Sequence, residues 1–144
     1  MPDMTTTPRG SGYPGYSETM YRTPETAEKA RRLARLALRV WQMDDVEDGA
    51  ALLVSELFTN AVCHARGECV RVIIDRPEAD RVYLAVVDHA PDRLPELREA
   101  VPDDADGRGL ALVEELADRW GCDLMGREHR PWGKRVWAEM KVTR

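Results

Sequence analysis

One stretch of the chain, residues 51–65, has the pattern of a helix that is buried on more than one side. It is rich in Leu and Ala, lacks Gly and Pro, and repeats apolar residues at helical spacing. Leu53 and Leu57 share one face, while Phe58 and Val62 extend the apolar character around another. A helix of this kind packs against more than one neighbour, so we expect the rest of the fold to be organised around it.

Two polar side chains interrupt this helix. Glu56 and Asn60 stand four residues apart, which places both side chains on the same stripe of the helix. A carboxylate and an amide are costly to bury without partners, so either they satisfy each other and the local backbone or they line a polar cavity. The pair would suit a hydrated Mg²⁺ ion, because an amide oxygen can bind the ion and a carboxylate can hold or activate a water. From this stretch alone both alternatives stay open.

Composition limits the classes of protein that this chain can represent. Its 144 residues favour one domain, and the net charge of -5 comes from acidic and basic residues that are mixed along the sequence. No basic run indicates direct nucleic-acid binding, and no apolar run is long enough to span a membrane. The N-terminus lacks the pattern of a signal peptide, and the three cysteines form no C-x-x-C pair. We therefore expect a cytoplasmic protein with free thiols.

The periodicity along the chain predicts an α/β protein. Residues 1–16, rich in Pro, Gly, Thr and Tyr, are predicted as a flexible tail, and residues 17–144 as a single domain. In chain order the domain contains a strand at 18–22, a helix at 24–41, a helix from Asp44 or Asp45 to about Gly67, strands at 69–75 and 81–88, a helix at 111–120, and strands at 122–127 and 134–140. Hairpin strands separated by helices indicate a two-layer sandwich, in which helices cover one face of a mixed, mainly antiparallel sheet.

Two further features bear on binding. Asp88 ends an apolar strand, a common position for a recognition carboxylate, although a solvated loop Asp is the simpler reading in isolation. The segment Gly107-Arg108-Gly109-Leu110 leads into a predicted helix, whose exposed N–H groups and positive dipole end suit a phosphate. The segment is neither a P-loop nor a dinucleotide fingerprint, so a flexible hinge remains an alternative.

Together these segments resemble the GHKL superfamily of ATP-binding domains, which is found in gyrase, Hsp90, histidine kinases and MutL. The closest similarity is to the stand-alone bacterial anti-sigma factor serine/threonine kinases. Residues 54–65 resemble their N-box, residues 107–113 resemble their second glycine box, and residues 116–121 and 133–139 resemble their closing segments. The resemblance covers about residues 23–142 and implies the Bergerat-type ATP-binding fold, with ATP and Mg²⁺ as cofactors.

The resemblance also implies a role for each candidate residue. Asn60 would bind the Mg²⁺ that bridges the ATP phosphates, Glu56 would polarise the attacking hydroxyl or a water, and Asp88 would accept a hydrogen bond from the adenine amino group. The loop from Asp92 to Asp106 would be the ATP lid. Further nucleotide-binding positions would be Ala90, Gly107, Arg108, Gly109 and Leu110.

The chain departs from the family at the first glycine box, which usually reads Asp-x-Gly-x-Gly. Here the segment is Asp88-His89-Ala90-Pro91-Asp92, so both glycines are replaced. Ala90 fits if the local backbone has a negative φ, whereas Pro91 stiffens the turn and Asp92 adds negative charge near the nucleotide. Weakened or lost ATP binding is one expected consequence.

Two functions from different classes follow. The resemblance favours an ATP-dependent protein serine/threonine kinase that binds a sigma factor and phosphorylates an anti-anti-sigma antagonist, and such kinases commonly form homodimers. The altered glycine box favours instead a non-catalytic partner-binding module with a degenerate or weak nucleotide site. A detached ATPase domain of a sensor histidine kinase is less favoured, because the sequence before Glu56 contains no His.

Overall fold

The computed structural model describes residues 4–8, 13–91, 112–127 and 129–142. Short 3₁₀ turns at Pro24–Thr26 and Asp44–Val46 precede the two long helices, and residues 112–116 are also helical. In chain order the strands and long helices are β1 (Met4–Pro8), β2 (Pro14–Tyr21), α1 (Ala27–Val40), α2 (Glu47–His64), β3 (Cys69–Asp75), β4 (Arg81–Asp88), β5 (Arg119–Arg127) and β6 (Arg130–Lys141).

The strands form one sheet in the order β1-β2-β3-β4-β6-β5, and every neighbouring pair is antiparallel. Helices α1 and α2 pack on one face, where alternate residues of β4 such as Val82 and Leu84 join the main core with Leu53 and Leu57 of α2. The other face carries a smaller apolar cluster around Ala85 and the stacked rings of Tyr83 and Trp137. The predicted two-layer α/β sandwich is thereby confirmed.

The central helix follows the pattern of its sequence. Its buried residues cover about half of the helix circumference and are flanked by half-buried positions, and Phe58 in the second half of the helix is fully buried. Helix α1 is instead amphipathic and buries one stripe of alanine and leucine residues, which includes Ala30, Ala34 and Leu38. This stripe packs beside α2, so α2 is enclosed by the sheet on one side and by α1 on another.

The predicted bounds of β3 and β4 agree with the structure, but the helix predicted at 111–120 ends too late. Arg119 and Trp120 belong to β5, where Trp120 pairs with Ala138 of β6. Gly121 does not end a helix: a Cβ there would lie 2.9 Å from the Trp137 ring, so the glycine makes room for this ring. Strand pairing with β6 thus overrides the helical spacing of residues 112–120.

At the N-terminus, paired strands begin earlier than the sequence predicts. Strand β1 pairs with β2 from Met4↔Glu18 to Pro8↔Pro14, and β2 pairs in turn with β3. Both β1 and the first residues of β2 lie within residues 1–16, which are predicted as a tail. No helix in the described ranges is long and apolar enough to cross a membrane.

Candidate functional site

Helix α2 carries Glu56 and Asn60 on the flank that faces away from α1. The other flank contains Ser55, whose Oγ accepts a hydrogen bond of 2.9 Å from Arg31 of α1. Helical geometry puts Glu56 and Asn60 on the far side of the exposed stripe that runs between the two flanks. Both side chains are half-buried. They therefore lie at the border between the helix layer and solvent.

The polar groups of Glu56 and Asn60 are not used internally. Within the described part of the chain, neither side chain forms a hydrogen bond or an ion pair. Burial alone raises the pKa of the Glu56 carboxyl above its ordinary value of 4.5. The alternative in which the two residues satisfy each other is therefore not observed.

Asp88 lies at the end of β4 on the helix-facing side of the sheet. It follows Leu84 and Val86 at two-residue spacing, and both of these side chains are buried in the main core. Only 1 % of Asp88 is exposed. The Asp88 carboxylate therefore faces the helix layer, which also contains Glu56 and Asn60.

A lysine that was not among the predicted site residues pairs with Asp88. Lys134 of β6 stands directly opposite Asp88 in the β4–β6 register and is 0 % exposed. Its Nζ donates to Asp88 Oδ1 and to the Ala90 carbonyl oxygen, both at 3.0 Å. Asp88 Oδ2 is 2.9 Å from Nζ, yet no donor among the described residues is aligned with this oxygen for a hydrogen bond. Oδ2 is thus ion-paired but accepts no hydrogen bond from the described part of the chain.

Ala90 occupies the turn that follows Asp88. Its N–H donates to Asp88 Oδ1 at 2.8 Å, and its side chain is fully buried in the main core. Among the described residues other than glycine, a positive φ occurs at Gln42 alone, so Ala90 has a negative φ. The backbone condition under which alanine can replace the first glycine of the box is therefore met.

Gly133, the residue before Lys134, lies against the backbone of Asp88. A Cβ on Gly133 would lie far inside contact distance of the carbonyl oxygen of Asp88, so the close approach requires glycine. The sequence did contain a signal for Lys134: it alternates with Val136 and Ala138, which are buried, so its side chain points to the core face. A lysine at such a position needs a buried acidic partner.

The remaining predicted residues cannot be compared with the structure. Those outside the described ranges are Gly107, Arg108, Gly109 and Leu110, together with the whole of the predicted lid at 92–106. Phosphate binding by the second glycine box accordingly stays a prediction.

The described residues fit the nucleotide that the sequence predicts. Asp88 Oδ2 is a buried acceptor that receives no hydrogen bond from the described residues, and such an acceptor suits the amino group of adenine. The Asn60 amide oxygen suits Mg²⁺. Within the described ranges, no cluster of three or more His, Cys, Asp or Glu side chains is placed to hold a metal.

A known family of domains matches most of the chain. A model of the histidine kinase-like ATPase domain matches residues 20–139. This range includes Glu56, Asn60 and Asp88, and it also includes Lys134. A comparison with curated proteins finds none that matches the chain.

Proposed function

Because the chain belongs to the family of histidine kinase-like ATPase domains, we propose that it is a cytoplasmic, ATP-binding regulatory protein with kinase activity. It would transfer a phosphoryl group, in the presence of Mg²⁺, to a serine or threonine hydroxyl of an antagonist protein. Membership of the family implies ATP binding. Magnesium dependence, transfer to a protein and the cellular compartment are the parts that we propose.

One observation carries this proposal: the side chains of Glu56 and Asn60 are half-buried, have no partner among the described residues, and lie beside the layer that Asp88 faces. A carboxylate that is desolvated and unpaired has a structural cost but no structural benefit. Such residues are candidates for function, because burial shifts their pKa towards the range in which a general base works.

Each residue contributes in a distinct way. Asp88 would accept a hydrogen bond from the base through Oδ2, and Asn60 would offer its amide oxygen to Mg²⁺. Glu56, whose pKa is raised by burial, would accept the proton of the attacking hydroxyl. Bound MgATP supplies the phosphoryl group. Most of the rate would come from positioning and charge neutralisation, as is general for phosphoryl transfer.

The proposed partners follow from the resemblance to anti-sigma factor kinases. A sigma factor would bind the protein, and phosphorylation of the antagonist would decide which of the two partners stays bound. A homodimer is part of the same proposal.

Formation of ADP by the purified protein tests the kinase function. We expect Mg²⁺-dependent ADP formation that falls at least a hundredfold in Glu56→Gln, the usual scale for loss of a general base, while ATP affinity by calorimetry stays within about threefold. Glu68→Gln, an exposed site between α2 and β3, is the matched control and should behave as wild type. ADP formation that is equal in Glu56→Gln and wild type would contradict the role of Glu56.

A second function, a non-catalytic partner-binding module, is favoured by a different observation. Asp88 is already engaged by Lys134, and Ala90 fills the core where the family has a glycine. Binding of ATP without any ADP formation, in a protein shown to be folded, would support this alternative over the kinase.

A further inference from the structure

The Asp88–Lys134 pair lies at the point where the base of a nucleotide would be recognised. Both side chains are almost completely buried, and Nζ is within 3.0 Å of each carboxylate oxygen. The ammonium also holds the Ala90 carbonyl oxygen. Its position is fixed by the strand register and by the close approach of Gly133 to Asp88. The Lys134 ammonium is therefore held at this position by the fold itself.

A carboxylate with a buried counterion is a weaker acceptor than a carboxylate without one. Hydrogen bonds to a charged acceptor are roughly twice as strong as neutral ones, because the donor interacts with the net negative charge. At Asp88 this charge is already neutralised by an ammonium at 2.9 Å in a region that excludes water. An incoming amino group would gain only the smaller, neutral part of the interaction.

We propose that Lys134 is an internal competitor for the base-binding carboxylate and sets a low affinity of this site for ATP. The inference rests on the proposed function, since it concerns the same nucleotide. Lys134 would act as an affinity-determining residue that engages Asp88 in the free protein and continues to share it when the base binds.

Replacement of the lysine by a neutral residue tests the proposal. Lys134→Gln removes the charge but keeps an amide donor near Asp88, and calorimetry should show ATP binding tightened about tenfold, the gain expected when a neutral hydrogen bond becomes charge-assisted. Lys141→Gln is the matched control, because it removes the same charge from the same strand at an exposed position. Loss of a positive charge near anionic ATP should by itself weaken binding, so tightening has the opposite sign to the general electrostatic effect.

A second measurement needs no variant. Purine ribonucleoside triphosphate lacks the amino group from which Asp88 would accept a hydrogen bond. Its affinity relative to that of ATP therefore reports the strength of this hydrogen bond. We expect the wild-type protein to bind the two nucleotides within about threefold of each other, because a contact to a neutralised carboxylate adds little. In Lys134→Gln the preference for ATP should rise to about tenfold or more.

The outcomes separate this inference from the proposed function. Unchanged or weaker ATP binding in folded Lys134→Gln, or a wild-type preference for ATP of tenfold or more, would overturn the competitor role while the ATP-binding function stands. ATP binding in Lys134→Gln but not in wild type would support the competitor role strongly. Failure of both proteins to bind ATP would overturn the inference and the proposed function together.

Discussion

Two carboxylates of the site have opposite surroundings: Glu56 on the α2 flank, and Asp88 at the β4–β6 junction, where the end of β4 pairs with Lys134 of β6. On the flank, Glu56 is half-buried with no partner among the described residues, and burial raises its pKa. At the junction, Asp88 is almost fully buried, but its Oδ1 accepts hydrogen bonds from Lys134 and the Ala90 N–H, and Lys134 also forms an ion pair with Oδ2. One carboxylate is therefore left ready for a ligand, and the other is largely committed to the fold.

This difference has a consequence for function. The flank would meet the phosphates and Mg²⁺, whereas the junction would meet the base. A nucleotide bound here would gain most of its binding free energy from its phosphates. Its base would contribute less, because the only acceptor offered by Asp88 without a hydrogen bond from the described residues, Oδ2, is already paired with Lys134. The following predictions test whether the two regions differ as described.

The largest expected effect is on stability, from breaking the ion pair. Lys134→Met leaves the buried Asp88 carboxylate uncompensated and should lower the free energy of unfolding by about 3–5 kcal/mol. Urea denaturation at neutral pH measures this change. The double variant Asp88→Leu/Lys134→Met removes both charges and should recover most of the loss; a double variant as unstable as the single one would show that the pair is not the cause.

A smaller loss is expected where the two strands approach. Gly133→Ala places a Cβ far inside contact distance of the Asp88 carbonyl oxygen. This clash can be relieved only if β4 moves relative to β6, so the free energy of unfolding should fall by about 1–3 kcal/mol. Gly49→Ala in α2 is the matched control. There the Cβ would meet only the Met140 Cε at 3.1 Å, the end of a flexible side chain, and alanine favours the helix by up to about 1 kcal/mol.

Equal losses in Gly133→Ala and Gly49→Ala would contradict the special closeness of β4 and β6 at Gly133. Thermal unfolding of the two variants beside wild type is sufficient for this comparison.

The smallest effect is expected on the α2 flank and depends on pH. The folded-state pKa of Glu56 is raised above the ordinary value of 4.5 by burial. The stability that the protonated carboxyl contributes is therefore fully present below the unfolded-state pKa and is lost as pH rises through the folded-state pKa. At pH 7 Glu56→Gln should therefore be more stable than wild type, by no more than about 0.5 kcal/mol, because the site is partly exposed.

Denaturation of this variant at pH 3.5 and pH 7 checks the sign. The advantage of Gln should vanish at the lower pH, where the carboxyl is protonated in both states. A Gln variant that is less stable than wild type at pH 7 would mean that the Glu56 carboxylate is stabilised in the fold, contrary to the account of the flank.

Sequence periodicity was sufficient where one pattern dominates a whole element. The bounds of β3 and β4 were predicted correctly, and α2 was recognised as a central helix, because apolar residues dominate each of these elements. The pattern failed at Trp120, which suits the apolar face of a helix and the inner face of a strand equally well. Pairing with Ala138 across β6, a contact distant in sequence, decides between them.

The same limit applies to the site. Glu56, Asn60 and Asp88 are predicted as site residues from their positions in local motifs. Lys134 is not predicted in this way, because its pairing with Asp88 depends on the β4–β6 register and on the absence of a side chain at Gly133. Its alternation with Val136 indicated that it is buried, but only the fold shows that its partner is the same Asp88 that was predicted to bind the base.

The most direct test of the account is calorimetric titration of the wild-type protein and of Asn60→Ala with ATP, with and without Mg²⁺. The account predicts binding that requires Mg²⁺ in the wild type and that is weakened at least tenfold, about 1.4 kcal/mol, in Asn60→Ala. Thr59→Ala, at the exposed neighbouring position of α2, should bind as wild type. Mg²⁺-independent binding, or equal affinity in Asn60→Ala and wild type, would contradict the central claim that the α2 flank holds the metal-bound phosphates.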